Sequence, residues 1–184
     1  VSGNLFRSGG GCSFYFKRRK AFAAKAITSG AAVRVVREPV LGADILAARI
    51  AMFSRILERA PGVNSVIELG ANTGINLKAL SLLLPGAKLW GVEVNEEAAM
   101  QIPVGRVLIG SMLDIDLTCH TDIPCDLAFT RGVLIHVAPE DLPRAYKALY
   151  EASRRYIMIA EYFNPDPVMI PYRGHDDKLF KRDF

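Results

Sequence analysis

Residues 66–74 read Val-Ile-Glu-Leu-Gly-Ala-Asn-Thr-Gly, and this stretch constrains the fold more than any other part of the chain. Val66, Ile67 and Leu69 form a short β-prone run that breaks at Gly70, and an apolar pattern of helical period starts at Ile75. A strand, a tight glycine turn and a helix are predicted in that order. Glycines in such a turn let the backbone approach a ligand, and the amides of a helix N-terminus favour polar or anionic groups. A dinucleotide-binding turn would carry glycine at its first, third and sixth places, whereas the sixth place here is Ile75. NAD is disfavoured on that ground.

The chain has 184 residues, 51% of them hydrophobic and 23% charged, which suits one globular domain with a substantial core. No apolar run is long enough to span a bilayer, and Lys17-Arg18-Arg19-Lys20 interrupts what would be a signal peptide's apolar stretch, so a cytoplasmic location is expected. Cys12, Cys119 and Cys125 make no regular framework and are expected as free thiols. Cys119, His120 and Cys125 lack paired ligand spacing, and no metal site is expected. The net charge of +4 conceals an asymmetry: residues 1–42 hold eight basic side chains against Glu38 alone, leaving an acidic remainder. Phe14-Tyr15-Phe16 beside Lys17-Arg18-Arg19-Lys20 has the look of a nucleic-acid or membrane-surface patch. We prefer to read residues 1–42 as a basic leader, poorly ordered or not native to the domain that follows.

Residues 43–60 carry Ile45, Leu46, Met52, Phe53, Ile56 and Leu57 at helical spacing, and Pro61-Gly62 ends that helix. Strands are predicted at 65–69, 88–94, 106–109, 126–129 and 156–160, with helices at 74–84, 96–101 and from Pro139 onward. Apolar strands alternating with helices imply a parallel sheet covered on both faces. Glu93 closes the second of these strands, 23 residues beyond Gly70, where a carboxylate offers two acceptor oxygens to the cis-diol of a ribose. Thr130, Arg131 and Gly132 end the fourth strand and should face the same crevice as Gly70 and Glu93. His136 follows closely, either as a base for an acceptor hydroxyl or as a structural residue bonding backbone. Beyond Tyr162, Pro165, Pro167 and Pro171 impose an extended loop bearing Tyr172, Arg173 and His175, and its polar and aromatic content suits a hydroxylated, anionic acceptor.

The pattern Glu-x-Gly-x-x-x-Gly at 68–74 resembles the first motif of class I S-adenosylmethionine-dependent methyltransferases, with Asn72 where many members carry glycine. A narrower resemblance lies in Ile-Glu-Leu-Gly-Ala-Asn-Thr-Gly-Ile-Asn-Leu77, Phe-Thr-Arg-Gly-Val-Leu-Ile-His136, Ile-Ala-Glu-Tyr162 and Ile-Pro-Tyr-Arg-Gly-His-Asp-Asp-Lys-Leu-Phe-Lys-Arg-Asp183. Over about residues 43–184 the chain is similar to the pseudaminic acid biosynthesis-associated methylases of bacteria. The resemblance implies an α/β, mostly parallel, Rossmann-like sheet and S-adenosylmethionine as cofactor. Its binding residues would be Glu68, Gly70, Ala71, Asn72, Thr73, Gly74, Glu93, Val94, Ser111, Met112, Asp114, Thr130, Arg131 and Gly132. In that family the turn at 110–114 lies along the adenine with an acid on the exocyclic amine. Ser111 holds the usual acidic place here, so either Ser111 or Asp114 makes the contact. His136 is the implied catalytic residue, and Tyr162, Tyr172, Arg173 and His175 would meet a small-molecule or sugar-linked acceptor.

Two features depart from the family. Residues 1–42 do not resemble its start, and class I methyltransferases have seven strands, the last two a hairpin beside strand five, whereas five are legible here. A sheet truncated after strand five is therefore expected, with residues 43–184 a C-terminally incomplete domain and an unpaired apolar edge at 156–160. An inactive cofactor-binding fragment and a methyltransferase of another small molecule remain as alternatives. A nucleic-acid methyltransferase would want Asn/Asp-Pro-Pro-aromatic after strand four, where this chain has Thr130-Arg131-Gly132-Val133, and no nucleic-acid partner is expected. Oligomeric state is not legible.

Overall fold

The computed structural model describes residues 4–8, 12–18, 42–172, 174–175 and 178–184. Its elements are β1 (Asn4–Ser8), β2 (Cys12–Arg18), α1 (Gly42–Leu57), β3 (Ser65–Leu69), α2 (Ile75–Leu83), β4 (Lys88–Glu93), α3 (Glu96–Ala99), β5 (Arg106–Ile109), β6 (Cys125–Arg131), α4 (Leu142–Ala152), β7 (Ser153–Tyr162), β8 (Val168–Met169) and β9 (Phe180–Lys181). The main sheet runs β1-β2-β7-β6-β3-β4-β5. Its five strands from β7 to β5 are parallel. This is the mostly parallel, helix-flanked sheet expected from the alternation of apolar strands and helices.

The expected unpaired edge at 156–160 is corrected. β2 pairs antiparallel with β7 from Cys12↔Tyr162 to Arg18↔Tyr156, and β1 pairs antiparallel with β2. Residues 4–8 and 12–18, read from sequence as part of a leader outside the domain, are thus two antiparallel strands of the sheet. The cause lies in their own composition: Phe14, Tyr15 and Phe16 are strong strand formers. Basic residues nearby masked that signal.

Alternate residues of each strand enter opposite cores. Val66, Leu127, Phe129, Tyr156 and Met158 pack with Phe53 of α1 and Leu77 and Leu80 of α2. Ile67, Leu69, Trp90, Val92, Ala128 and Ile159 pack with Ala145, Leu149 and Ala152 of α4. The segment opening at Pro139 divides into a 3-10 turn, Pro139–Asp141, followed by α4. Pro143 has no N–H to return to the Pro139 carbonyl, which accepts instead from the Leu142 N–H. Among the described residues no helix is long and apolar enough to cross a membrane.

Phe53 is fully buried, and its ring meets Phe129 edge-on at a centroid distance of 5.3 Å. Phe53→Ala is expected to destabilise the fold by about 3–5 kcal/mol, as read from the shift of a urea unfolding curve at unchanged slope.

Candidate functional site

The carboxyl ends of β3, β4, β6 and β7 form one rim. At its centre the chain leaves β3 through Gly70 and enters α2 at Gly74, both with positive φ, and Asn72 adopts the left-handed region as well. The Gly70 and Ala71 amides donate to the Val92 carbonyl at 2.8 and 2.9 Å, so the turn is fixed to the end of β4. The glycine requirement is internal. A Cβ at Gly70 would overlap the Val133 isopropyl group, and one at Gly74 would stand 2.8 Å from Ile102 Cγ2. Val133 and Ile102 stand where the side chains of residues 70 and 74 would otherwise be.

Three buried carboxylates stand on this rim. Glu93, 8% exposed, accepts the Asn72 N–H at 2.7 Å on Oε2 and the Asn95 N–H at 2.9 Å on Oε1. Each oxygen retains a second lone pair, which suits a diol bridging the two. Glu68 is fully buried; its Oε1 accepts from Asn76 Nδ2 at 2.6 Å, while Oε2 has no hydrogen-bond partner among the described residues. Burial pushes its carboxyl from an ordinary 4.5 up to about 8, against the Asn76 hydrogen bond and the nearby charges of Arg131 and Arg49, which pull it down. Glu161, 1% exposed, accepts from the Val133 and Leu134 amides at 3.0 and 3.1 Å and lies 3.4 Å from the Thr130 hydroxyl, all through Oε1. Burial raises it to about 7, opposed by those donors. Glu68 was drawn from a motif; Glu161 was missed, although an acid ending an otherwise apolar strand is itself a signal.

The other sequence-predicted residues divide. Thr130 is fully buried, Gly132 donates to the Ala160 carbonyl at 2.9 Å, and Arg131 holds a buried Nε without a hydrogen-bond partner among the described residues. Ala71 is buried, and Thr73 is exposed on the turn. Val94 is 68% exposed just past β4, close to Ile109, which is 55% exposed and pairs with Glu93 at the end of β5. Ile109 was not singled out from sequence, since an apolar residue at a strand end reads as core. The Ser111 hydroxyl accepts the Leu113 amide at 3.1 Å, and Met112 is buried. Asp114 turns to the surface, where Arg144 Nη2 lies 2.6 Å away. A cavity of about 280 Å³ lies behind this loop, between it and α4, and its lining includes Met112 and Asp114 but not Gly70, Glu93 or Thr130.

His136 ends a 3-10 turn, Leu134–His136, and is exposed. Its Nδ1 lies 2.7 Å from the Lys178 carbonyl and its ring is tilted 47° against Tyr172 at 5.3 Å. A carbonyl only accepts, so Nδ1 carries hydrogen and Nε2 of the neutral ring is the acceptor. The tail therefore crosses over this turn. It is pinned by the Phe163↔Arg182 bridge and by β8 pairing with β9, with Lys181 Nζ above the Tyr162 ring at 5.7 Å. Tyr172 and His175 exchange backbone hydrogen bonds of 2.7 and 3.0 Å at the exposed end of that tail. Arg173 lies outside the described residues.

A mostly parallel sheet, a glycine turn after its central strand and a carboxylate after the next define the Rossmann-like fold of class I methyltransferases. Solved structures of that kind are similar to this chain. The sugar N-methyltransferase KedS8 from Streptoalloteichus is 20% identical with a TM-score of 0.57, the match covering 83% of this chain and 68% of KedS8. Streptomyces venezuelae DesVI is 15% identical at 0.56 over 72% and 61% of the two chains. The N-terminal domain of EvdMO1, solved with SAH bound, is 22% identical at 0.54 over 70% and 56%. The chain thus spans little more than half the length of some of these structures. No family model matches it, and no curated protein sequence does.

Gly70→Ala is expected to cost at least about 2 kcal/mol, from the positive φ and the overlap with Val133 together. Adding Val133→Ala should recover part of that loss, which a double-mutant cycle of urea midpoints would measure. Glu68 and Glu161 have folded pKa values above their unfolded ones, so their contribution to stability is full below about pH 4.5 and is lost as pH rises toward 8. The melting temperature should accordingly fall between pH 5 and 8, and Glu68→Gln should flatten that fall.

Proposed function

We propose that this chain binds S-adenosylmethionine and directs its methyl group to a hydroxyl or amine of a sugar or sugar-linked acceptor, in a bacterial route to pseudaminic acid. The observation that carries the cofactor assignment is a set of buried polar atoms on β3, α2 and β6 that have no hydrogen-bond partner among the described residues. Glu68 Oε2 and Asn76 Oδ1 accept, and Arg131 Nε donates. Burying such atoms unpaired is costly, and the charge of Arg131 is felt at Glu68. An ammonium and a carboxylate on one small molecule would satisfy both kinds, which fits the amino-acid end of S-adenosylmethionine. Glu93 would take the ribose hydroxyls, and the exposed apolar side chains of Val94 and Ile109 would flank the adenine. Ser111 is the better placed of the two candidate adenine contacts, since Asp114 is paired with Arg144.

The cofactor supplies an activated methyl on a sulfonium, so the protein's task is chiefly to orient the acceptor and exclude water. His136 Nε2 would take the acceptor's proton, with the Lys178 carbonyl fixing the ring through Nδ1. Tyr162, Tyr172, Arg173 and His175 would select the acceptor from the tail. The sugar assignment rests on the resemblance of the four sequence phrases, the 170–183 phrase above all, and accords with the fold shared with a sugar N-methyltransferase.

Calorimetric titration with S-adenosylhomocysteine, with NAD as control, tests this reading. Saturable binding that Glu93→Ala weakens by about tenfold or more is expected, from the loss of two charge-assisted hydrogen bonds. A folded chain that binds neither compound would sink it.

A further inference from the structure

Glu161 is a carboxylate with no role yet in the proposed chemistry, although it is nearly inaccessible. An apolar residue at the end of β7 would fill the space without losing hydration, so the position calls for what a carboxylate does: accept several hydrogen bonds at once. Its Oε1 gathers donors from two segments, the Thr130 hydroxyl on β6 and the Val133 and Leu134 amides of the turn that leads to His136. Val133 is also the residue whose side chain occupies the open face of Gly70. Hydrogen bonds at its amide and contact at its isopropyl group therefore link β7 to the glycine turn in a single residue.

We infer that Glu161 is a positioning residue of the cofactor site, which fixes Val133 and, through it, the turn at 70–74. This rests on the methyltransferase reading for the identity of the ligand, but not for the mechanical link. The ionised carboxylate draws its donors more strongly than the neutral acid, so the link tightens as Glu161 deprotonates near pH 7. The titratable group facing it is Tyr146 on α4, whose phenol feels Glu161 together with Arg182 and Asp183 of the tail; in sequence, Arg131 follows Thr130 and His136 lies two residues past Leu134. Burial holds the Tyr146 phenol above its ordinary value, so it stays neutral through this range.

The test measures S-adenosylhomocysteine affinity from pH 5.5 to 8.5 for the chain, Glu161→Gln and Glu161→Ala, and follows the backbone amide shifts of the unliganded proteins by NMR. Affinity of the unaltered chain should rise about fivefold between pH 6 and 8. Glu161→Gln, which keeps an acceptor oxygen, should lose the part of that rise centred near pH 7 and keep only what Glu68 contributes toward pH 8, and Glu161→Ala should bind about tenfold more weakly or worse. The Val133 and Leu134 amides should show an inflection near pH 7 that survives His136→Gln and vanishes in Glu161→Gln. An unchanged affinity profile in Glu161→Gln, or amides that do not titrate in the unaltered chain, would overturn the inference. Should the unaltered chain not bind S-adenosylhomocysteine at all, the methyltransferase reading fails separately, and the amide titration alone decides the role of Glu161.

Discussion

Three strands of the parallel sheet end in carboxylates that are almost wholly withdrawn from water, and the architecture around the crevice follows from keeping them satisfied. Glu93 is held by the Asn72 and Asn95 amides, Glu161 by Val133 and Leu134, and Glu68 by Asn76. An isolated buried carboxylate costs several kcal/mol, so each of these acids dictates the course of the backbone next to it. The turn at 70–74 comes to Glu93, and the turn at 132–136 comes to Glu161. Where the two turns meet, Val133 fills the space that the missing side chain of Gly70 leaves. Glu68 and Glu161 each leave one oxygen, Oε2, without a hydrogen-bond partner among the described residues, and only Glu93 is held at both.

Much of this was legible in the chain itself. Val66 to Gly74 announces strand, turn and helix through composition alone, and the apolar runs at 88–94 and 126–129 announce a sheet buried on both faces. Glu93 could be placed because its distance from Gly70 is a property of the strand-helix-strand unit rather than of packing. What stayed illegible depends on contacts between segments distant in sequence. Glu161 looks like the polar end of a strand until β7 is set beside β6, and the pairing of Asp114 with Arg144 joins residues 30 apart in sequence. The purpose of Gly70 was hidden for the same reason, since its constraint is the Val133 side chain.

The opening segment shows how one property conceals another. Its basic residues set the charge of the whole chain, and charge runs read as solvated arms, yet the aromatic triplet among them is strand-forming and pairs along seven residues of β7. Charge reports partners and solubility, whereas strand pairing follows alternation and side-chain shape. Both signals are present in residues 12–18.

That strand pair also sets an order of events. In the family pattern the strands flanking strand five are the last of the domain, whereas here β1 and β2 leave the ribosome well before β7 exists. Cys12 finds Tyr162 only across nearly the whole chain, a closure whose entropy must be met before its ladder forms. The β3-β4-β5 wing, built from neighbours in sequence, can assemble early, while β7 is paired last and from both sides. Until then the aromatic strand β2 is without its ladder, so the seam between β2 and β7 is where a nascent or heated chain would first admit a strand from another molecule.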